Sequence, residues 1–158
     1  MRDDSAMAIE FRPGRSDEPA GSRLMAELNE LLNAQYRGRV AKPGSVTTPD
    51  EMVPPAGAFL VGWDGERAVA IGGVRRIDTE TCEIKRLYVV PDARSRGVGR
   101  ALLAALEDAA RGLGYARVRL DAGPEQKLSI AMFRRSGYVE IPRYNDNHIA
   151  VYFAEKQL

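Results

Sequence analysis

The chain has 158 residues, 44% apolar and 28% charged, the balance of one folded domain large enough to bury a core. Its 23 basic and 22 acidic side chains leave a net charge of +1, which excludes a global electrostatic drive toward nucleic acid or an anionic membrane. A single cysteine, Cys82, and a single histidine, His148, exclude a disulfide framework and argue against a metal centre, so no metal is expected.

No apolar run reaches the ~20 residues of a membrane span, and MRDDSAMAIE lacks the apolar segment of a signal peptide, so a cytoplasmic setting is expected. Residues 1–158 are expected as one domain, with 1–7 as a flexible leader. Ala8–Arg12 alternates as a first strand, ended by Pro13-Gly14. Ser22–Gln35 sets Leu24, Leu28, Leu31 and Leu32 at helical spacing, with Ser22 in the N-cap position. Gly38–Gly57 carries Pro43, Pro49, Pro54 and Pro55 and predicts a long surface loop with a short helical turn near Asp50–Met52.

Ala58–Trp63 and Ala68–Ile77 predict two strands joined by an Asp64-Gly65 hairpin turn. Cys82–Val90 is a third strand, stopped by Pro91. A helix follows over Val98–Leu113, with Val98, Leu102, Leu103, Leu106, Ala109, Ala110 and Leu113 on one face and Gly112 and Gly114 at its end. Ala116–Asp121 is a buried strand, Pro124–Ser136 a helix, and Ile149–Ala154 a last strand. The order β-α-β-β-β-α-β-α-β is that of an α/β (α+β) domain with a central mixed sheet.

The chemistry concentrates in Cys82–Arg100, CEIKRLYVVPDARSRGVGR, where a strand runs through a glycine-containing turn into a helix. Glycines let backbone N–H groups approach a ligand, and the first amides of a helix lack internal acceptors at the positive end of its dipole. That makes an anion site suited to a phosphate or pyrophosphate. Arg94, Arg96 and Arg100 add local positive charge. Taken alone, the turn is equally well a tight bend with solvated arginines. It is neither a P-loop nor a dinucleotide fingerprint, because both spacings are absent.

Arg94-Ser95-Arg96-Gly97-Val98-Gly99 matches the Q/R-x-x-G-x-G/A signature of the GNAT acetyltransferase superfamily, directly after a strand ending Leu87-Tyr88-Val89-Val90. Gly123–Tyr138, GPEQKLSIAMFRRSGY, is similar to that family's second cofactor-side helix. The resemblance runs from about Phe59 to the C-terminus and implies an N-acetyltransferase using acetyl-CoA as co-substrate. It implies a central sheet that splays around the coenzyme arm, with helices on both faces. By analogy, the backbone from Leu87 through Tyr88 to Val89 would bind the pantetheine arm, and the Leu87 N–H would polarise the thioester carbonyl. Residues Arg94–Arg100 would take the pyrophosphate, chiefly through the amides of Arg96, Gly97, Val98, Gly99 and Arg100.

An amine of pKa near ~10 arrives protonated, so a carboxylate must remove its proton before attack. Glu83 is the candidate general base: it lies four residues before Leu87, which in a regular strand puts both on one face. The other reading is a surface glutamate paired with Lys85 or Arg86. Gln126 is either a pantetheine contact or a helix-surface residue, and Ser129 and Arg135 are further candidates for coenzyme contact, the latter through a phosphate. Phe133 stands where many relatives carry an acid tyrosine and has no proton to give, so Tyr138, Tyr144 or water is left for that task. Cys82 reads as a buried strand cysteine rather than a nucleophile. His148 is left out of the mechanism, Trp63 reads as packing, and the Pro43–Pro55 and Arg143–Asn147 segments shape the acceptor pocket.

The acceptor is a small-molecule or peptide amine of unread identity. Neither nucleic acid nor membrane is expected as a partner, and the oligomeric state is open, a homodimer included. Two other classes fit the turn: a non-catalytic acyl-CoA-binding module, favoured by Phe133, and a nucleotide-phosphate-binding domain.

Overall fold

The structure is a computed structural model that describes residues 8–37 and 47–158; the expected leader 1–7 and Pro43 lie outside the described residues. Strands β1 (Glu10–Pro13), β2 (Ala58–Asp64), β3 (Arg67–Arg76), β4 (Thr81–Val89), β5 (Arg117–Ala122), β6 (Val139–Glu140) and β7 (Tyr152–Gln157) form one sheet in the order β1-β2-β3-β4-β5-β7-β6. Among the described residues only β4 and β5 pair in parallel. Helices α1 (Pro19–Tyr36), α2 (Val98–Gly112) and α3 (Lys127–Arg135) complete the domain, with a 3-10 turn at Pro49–Met52 where a short helical turn is expected.

Two adjacent glycines of β3 show how the layers stack. A Cβ on Gly72 would lie 2.5 Å from Leu106 of α2, whereas a Cβ on Gly73 would strike Met52 and approach Phe59. Successive strand residues point to opposite faces, so α2 covers one side and the 3-10 turn the other. A Cβ on Gly21 would lie 3.2 Å from Phe59, which puts α1 on the Phe59 side. Helix α2 buries Val98, Leu102, Leu103, Leu106 and Ala110, the apolar stripe legible in the sequence. Each large aliphatic side chain buried there contributes about 2 kcal/mol.

Three elements begin three residues from where the sequence reading puts them, the last strand also ends three residues later, and the remaining boundaries agree within two residues. Helix α1 starts at Pro19, not Ser22: proline preorganises the first helical position, Glu18 is the N-cap, and the Ser22 N–H bonds the Glu18 carbonyl at 2.7 Å. Helix α3 starts only at Lys127, because Gly123–Gln126 closes a turn in which the Gln126 N–H bonds the Gly123 carbonyl and the Gly123 N–H bonds Gln126 Oε1 at 2.6 Å. The last strand is Tyr152–Gln157 rather than Ile149–Ala154, since its register follows β5, with Ala122 opposite Tyr152 and Arg117 opposite Gln157. Two-residue β6, absent from the sequence reading, pairs only with β7. The Asp64-Gly65 hairpin is present, with Gly65 at φ 61 and Asp64 opposite Arg67.

Candidate active site

Strand β4 leaves its neighbours halfway along. Its pairing with β5 covers Thr81, Cys82 and Glu83 and then stops, so Ile84 to Val89 has no strand partner on that side. On the β3 side, Lys85 opposes Gly73 and Tyr88 opposes Ile71, which leaves Arg86 and Leu87 together facing Gly72. This is a β-bulge, and Arg86 adopts φ 61 within it. Beyond the bulge the Val90 N–H bonds the Val69 carbonyl at 2.9 Å. Alternate residues of an antiparallel strand direct their backbone groups to opposite sides, so those of Val89 turn toward the gap.

The bulge corrects the expectation that Glu83 and Leu87 share a face. Glu83 bonds Arg75, which in turn bonds Glu51 of the 3-10 turn. Leu87 instead lies beside α2: the same hypothetical Cβ on Gly72 that meets Leu106 falls 3.3 Å from Leu87 Cδ2. One extra residue between them reverses the alternation.

The gap between β4 and β5 opens into a cavity of about 520 Å3 walled by Tyr36 of α1, Lys85, Arg86 and Leu87 of β4, Asp121 of β5 and Phe133 of α3. Glu83 sits behind this wall, 1% exposed. Its Oε1 accepts from Arg75 Nε at 2.9 Å and faces Lys85 Nζ at 3.6 Å. Its Oε2 accepts from Tyr144 at 2.5 Å and Asn145 at 3.1 Å. Burial pushes this carboxyl up, but Lys85, Tyr144, Arg75 and Asn145 together outweigh it and hold the group below the usual carboxylate range. The surface reading of Glu83 is therefore overturned, though its pairing with Lys85 is present. Asn145 Nδ2 also donates to Asp121 Oδ2 at 2.6 Å, and Lys85 lies 3.9 Å from the same oxygen. Asp121, on the cavity wall, is thus coupled through one amide to the buried Glu83.

At the end of β4, Ser95 and Gly97 adopt φ 65 and 78, and Gly97 is the N-cap of α2. The first bond of the helix runs from the Ala101 N–H to the Gly97 carbonyl. The amides of Val98, Gly99 and Arg100 therefore have no intrahelical acceptor. A Cβ on Gly97 would meet nothing within 4 Å, so the ledge is open. The three arginines do not converge on it: Arg94 donates to the Val89 carbonyl at 2.9 Å and lies over the Tyr88 ring, Arg96 lies 3.6 Å from Asp64, and exposed Arg100 shares a shallow cleft with Arg135. An open ledge of unpaired amides at the end of a strand that parts from its neighbour is the arrangement the signature implies.

A sequence profile of the acetyltransferase (GNAT) family matches residues 25–138. The chain belongs to this family. An "IAA acetyltransferase" of Azospirillum brasilense is 34% identical over 126 residues, 78% of this chain and 72% of that one. A candidate acyl-CoA N-acyltransferase of Klebsiella pneumoniae shares the fold with TM-score 0.76 and 24% identity, covering 96% and 99% of the two chains. A GNAT family acetyltransferase of Elizabethkingia anophelis, solved with acetyl-CoA bound, matches with TM-score 0.66 and 16% identity over 99% and 100%.

In this GNAT acetyltransferase the remaining sequence candidates are unequally placed. Gln126 and Ser129 line the cavity with Phe133, but Gln126 spends its side-chain oxygen on the Gly123 N–H. Phe133 is held against Tyr152 and Tyr138, with ring centroids 6.4 and 5.8 Å apart. Tyr138 donates to Glu107 at 2.8 Å and Tyr144 donates to Glu83, and burial pushes both phenols far up, so neither is poised to release a proton into the cavity. Cys82 is fully buried and its thiol is pushed up to about 12 by burial, which suits an inert core residue. His148, left out of the sequence mechanism, lies on the cavity rim.

Sequence reasoning missed Asp121 and Tyr36 as cavity residues. Asp121 had a usable signal, the one carboxylate of a strand whose other charged residues, Arg117 and Arg119, are basic. Tyr36 had none, because its place depends on α1 crossing to Gly123, where Tyr36 accepts the Glu125 N–H at 3.2 Å. Among the described residues no cluster of potential metal ligands occurs, and no helix is long and apolar enough to cross a membrane.

Proposed function

We propose that this GNAT chain transfers the acetyl group of acetyl-CoA to a primary amine by direct attack in a ternary complex. The observation that carries the reading is the unpaired half of β4, which opens onto the cavity and ends at the bare amides of α2. The pyrophosphate rests on the Val98–Arg100 amides, at the positive end of the helix. The inward-turned backbone of Val89 pairs with the pantetheine arm, sharing its carbonyl with Arg94. The Leu87 N–H, which lies in the bulge, stabilises the oxyanion as the amine nitrogen bonds to the thioester carbon. Carbon–sulfur cleavage then releases the coenzyme thiolate, which takes a proton from water, since Phe133 has none to give.

The amine proton goes to the carboxylate pair Asp121 and Glu83, bridged by Asn145. Asp121 is the member facing the cavity; Glu83 acts through it.

The test is a panel of primary amines with acetyl-CoA, following released thiol and N-acetyl product by mass spectrometry. Stoichiometric product and thiol support the reading. Coenzyme A raising the melting temperature without thiol release from any amine would instead favour the non-catalytic module. Stabilisation by ATP but not by coenzyme A would favour the nucleotide-binding alternative.

A further inference from the structure

Arg86 is built against local preference. Its φ of 61 lies in the left-handed region, which a side chain other than glycine occupies at a cost. Its side chain lines the cavity, and its Nε is shielded from solvent without a hydrogen-bond partner. Among the described residues, no carboxylate lies within ion-pair distance of it, whereas its neighbour Lys85 has two, Glu83 and Asp121. Those two carboxylates are occupied: Glu83 by Arg75, Lys85, Tyr144 and Asn145, and Asp121 by Lys85 and Asn145.

Burying part of a guanidinium with its Nε left without a hydrogen bond is unfavourable. A strained guanidinium whose Nε has no hydrogen-bond partner, and which feels Asp121 and Glu83 only beyond ion-pair distance, is therefore explained by a partner that arrives with the ligand. The planar fork of arginine matches a carboxylate through two parallel hydrogen bonds, which an ammonium cannot do. Asp121 lines the same cavity with the opposite charge and is near enough to act on Arg86 electrostatically.

Resting on the acetyl-transfer reading, we propose that Arg86 is a specificity-determining residue that binds a carboxylate of the acceptor, so that the acceptors are amines that also carry a carboxylate.

The experiment compares matched amines, each as the free carboxylate and as its carboxamide, by turnover and by calorimetric binding to the full chain. The wild-type protein is expected to favour the carboxylate member by about 10- to 100-fold in kcat/KM, because an unpaired polar site rejects the analogue that leaves it unsatisfied. In R86Q that ratio falls toward one, with the change in the KM for the amine and not in the acetyl-CoA melting shift. R86K, which keeps the charge without the fork, retains an intermediate ratio. A ratio near one in the wild-type protein, or a ratio unmoved in R86Q, overturns the proposal. Loss of acetyl-CoA binding or of all thiol release in the wild-type protein would instead strike the acetyl-transfer reading. Calorimetry scores the carboxylate preference independently of turnover.

Discussion

Tyr144 donates its phenolic proton to Glu83 Oε2 at 2.5 Å, so a residue of the C-terminal segment closes a cluster that begins 61 positions earlier on β4. With Arg75 and Asn145, this bond converts a strand glutamate into a buried anion that accepts three hydrogen bonds. Such a carboxylate is a poor direct base and a strong organiser. It holds Lys85 and, through Asn145, Asp121 at the cavity wall.

Replacing Glu83 by glutamine leaves Arg75 and Lys85 facing a neutral amide. The expected loss is about 3 kcal/mol, or roughly 6–12 °C in Tm, read by thermal melts. The folded pKa of Glu83 lies below its unfolded value near ~4.3, so its contribution is present above that pH and is lost as pH falls through the folded pKa. The gap in Tm between wild type and E83Q should therefore hold from neutral pH to about 5 and close at lower pH. A gap that widens on acidification would contradict the ion-paired state.

Asp121→Asn removes the carboxylate that faces the cavity. Turnover should drop about 100-fold or more near neutral pH and recover in part at high pH, where free amine accumulates. In E83Q, assayed well below its Tm, the fall should be smaller. A larger catalytic loss in E83Q than in D121N would return the proton-accepting role to Glu83 itself.

Gly97 combines φ 78 with open space where a Cβ would stand. Gly97→Val should lower Tm by only a few degrees, reflecting about 1–2 kcal/mol of backbone strain. Binding of acetyl-CoA, measured by calorimetry, should weaken about 10-fold or more, because the added methyl groups stand where phosphate approaches bare amides. Unchanged affinity would mean the ledge is not the phosphate site.

Phe133→Tyr restores a phenol on the cavity wall. Since a thiolate of pKa near ~8.5 departs without help from an acid, kcat should stay within about threefold of wild type. A rise beyond tenfold in steady-state assays would show that protonation of the leaving group limits the reaction.

Local chemistry settled much of this protein. The hairpin at Asp64-Gly65, the apolar stripe of α2 and the glycine turn before it depend on residues within a few positions of one another, so spacing alone discloses them. The same holds for the family signature at Arg94–Gly99. Tertiary structure decided which residues meet. The bulge at Arg86 arises only when β4 is laid against Gly72 and Gly73, and it undoes the alternation that would have joined Glu83 to Leu87. Asn145 reaches Asp121 across 24 residues and Glu83 across 62, distances over which no sequence periodicity persists. Backbone preference is written locally, whereas the partner of a buried charge is chosen by how strands and helices pack.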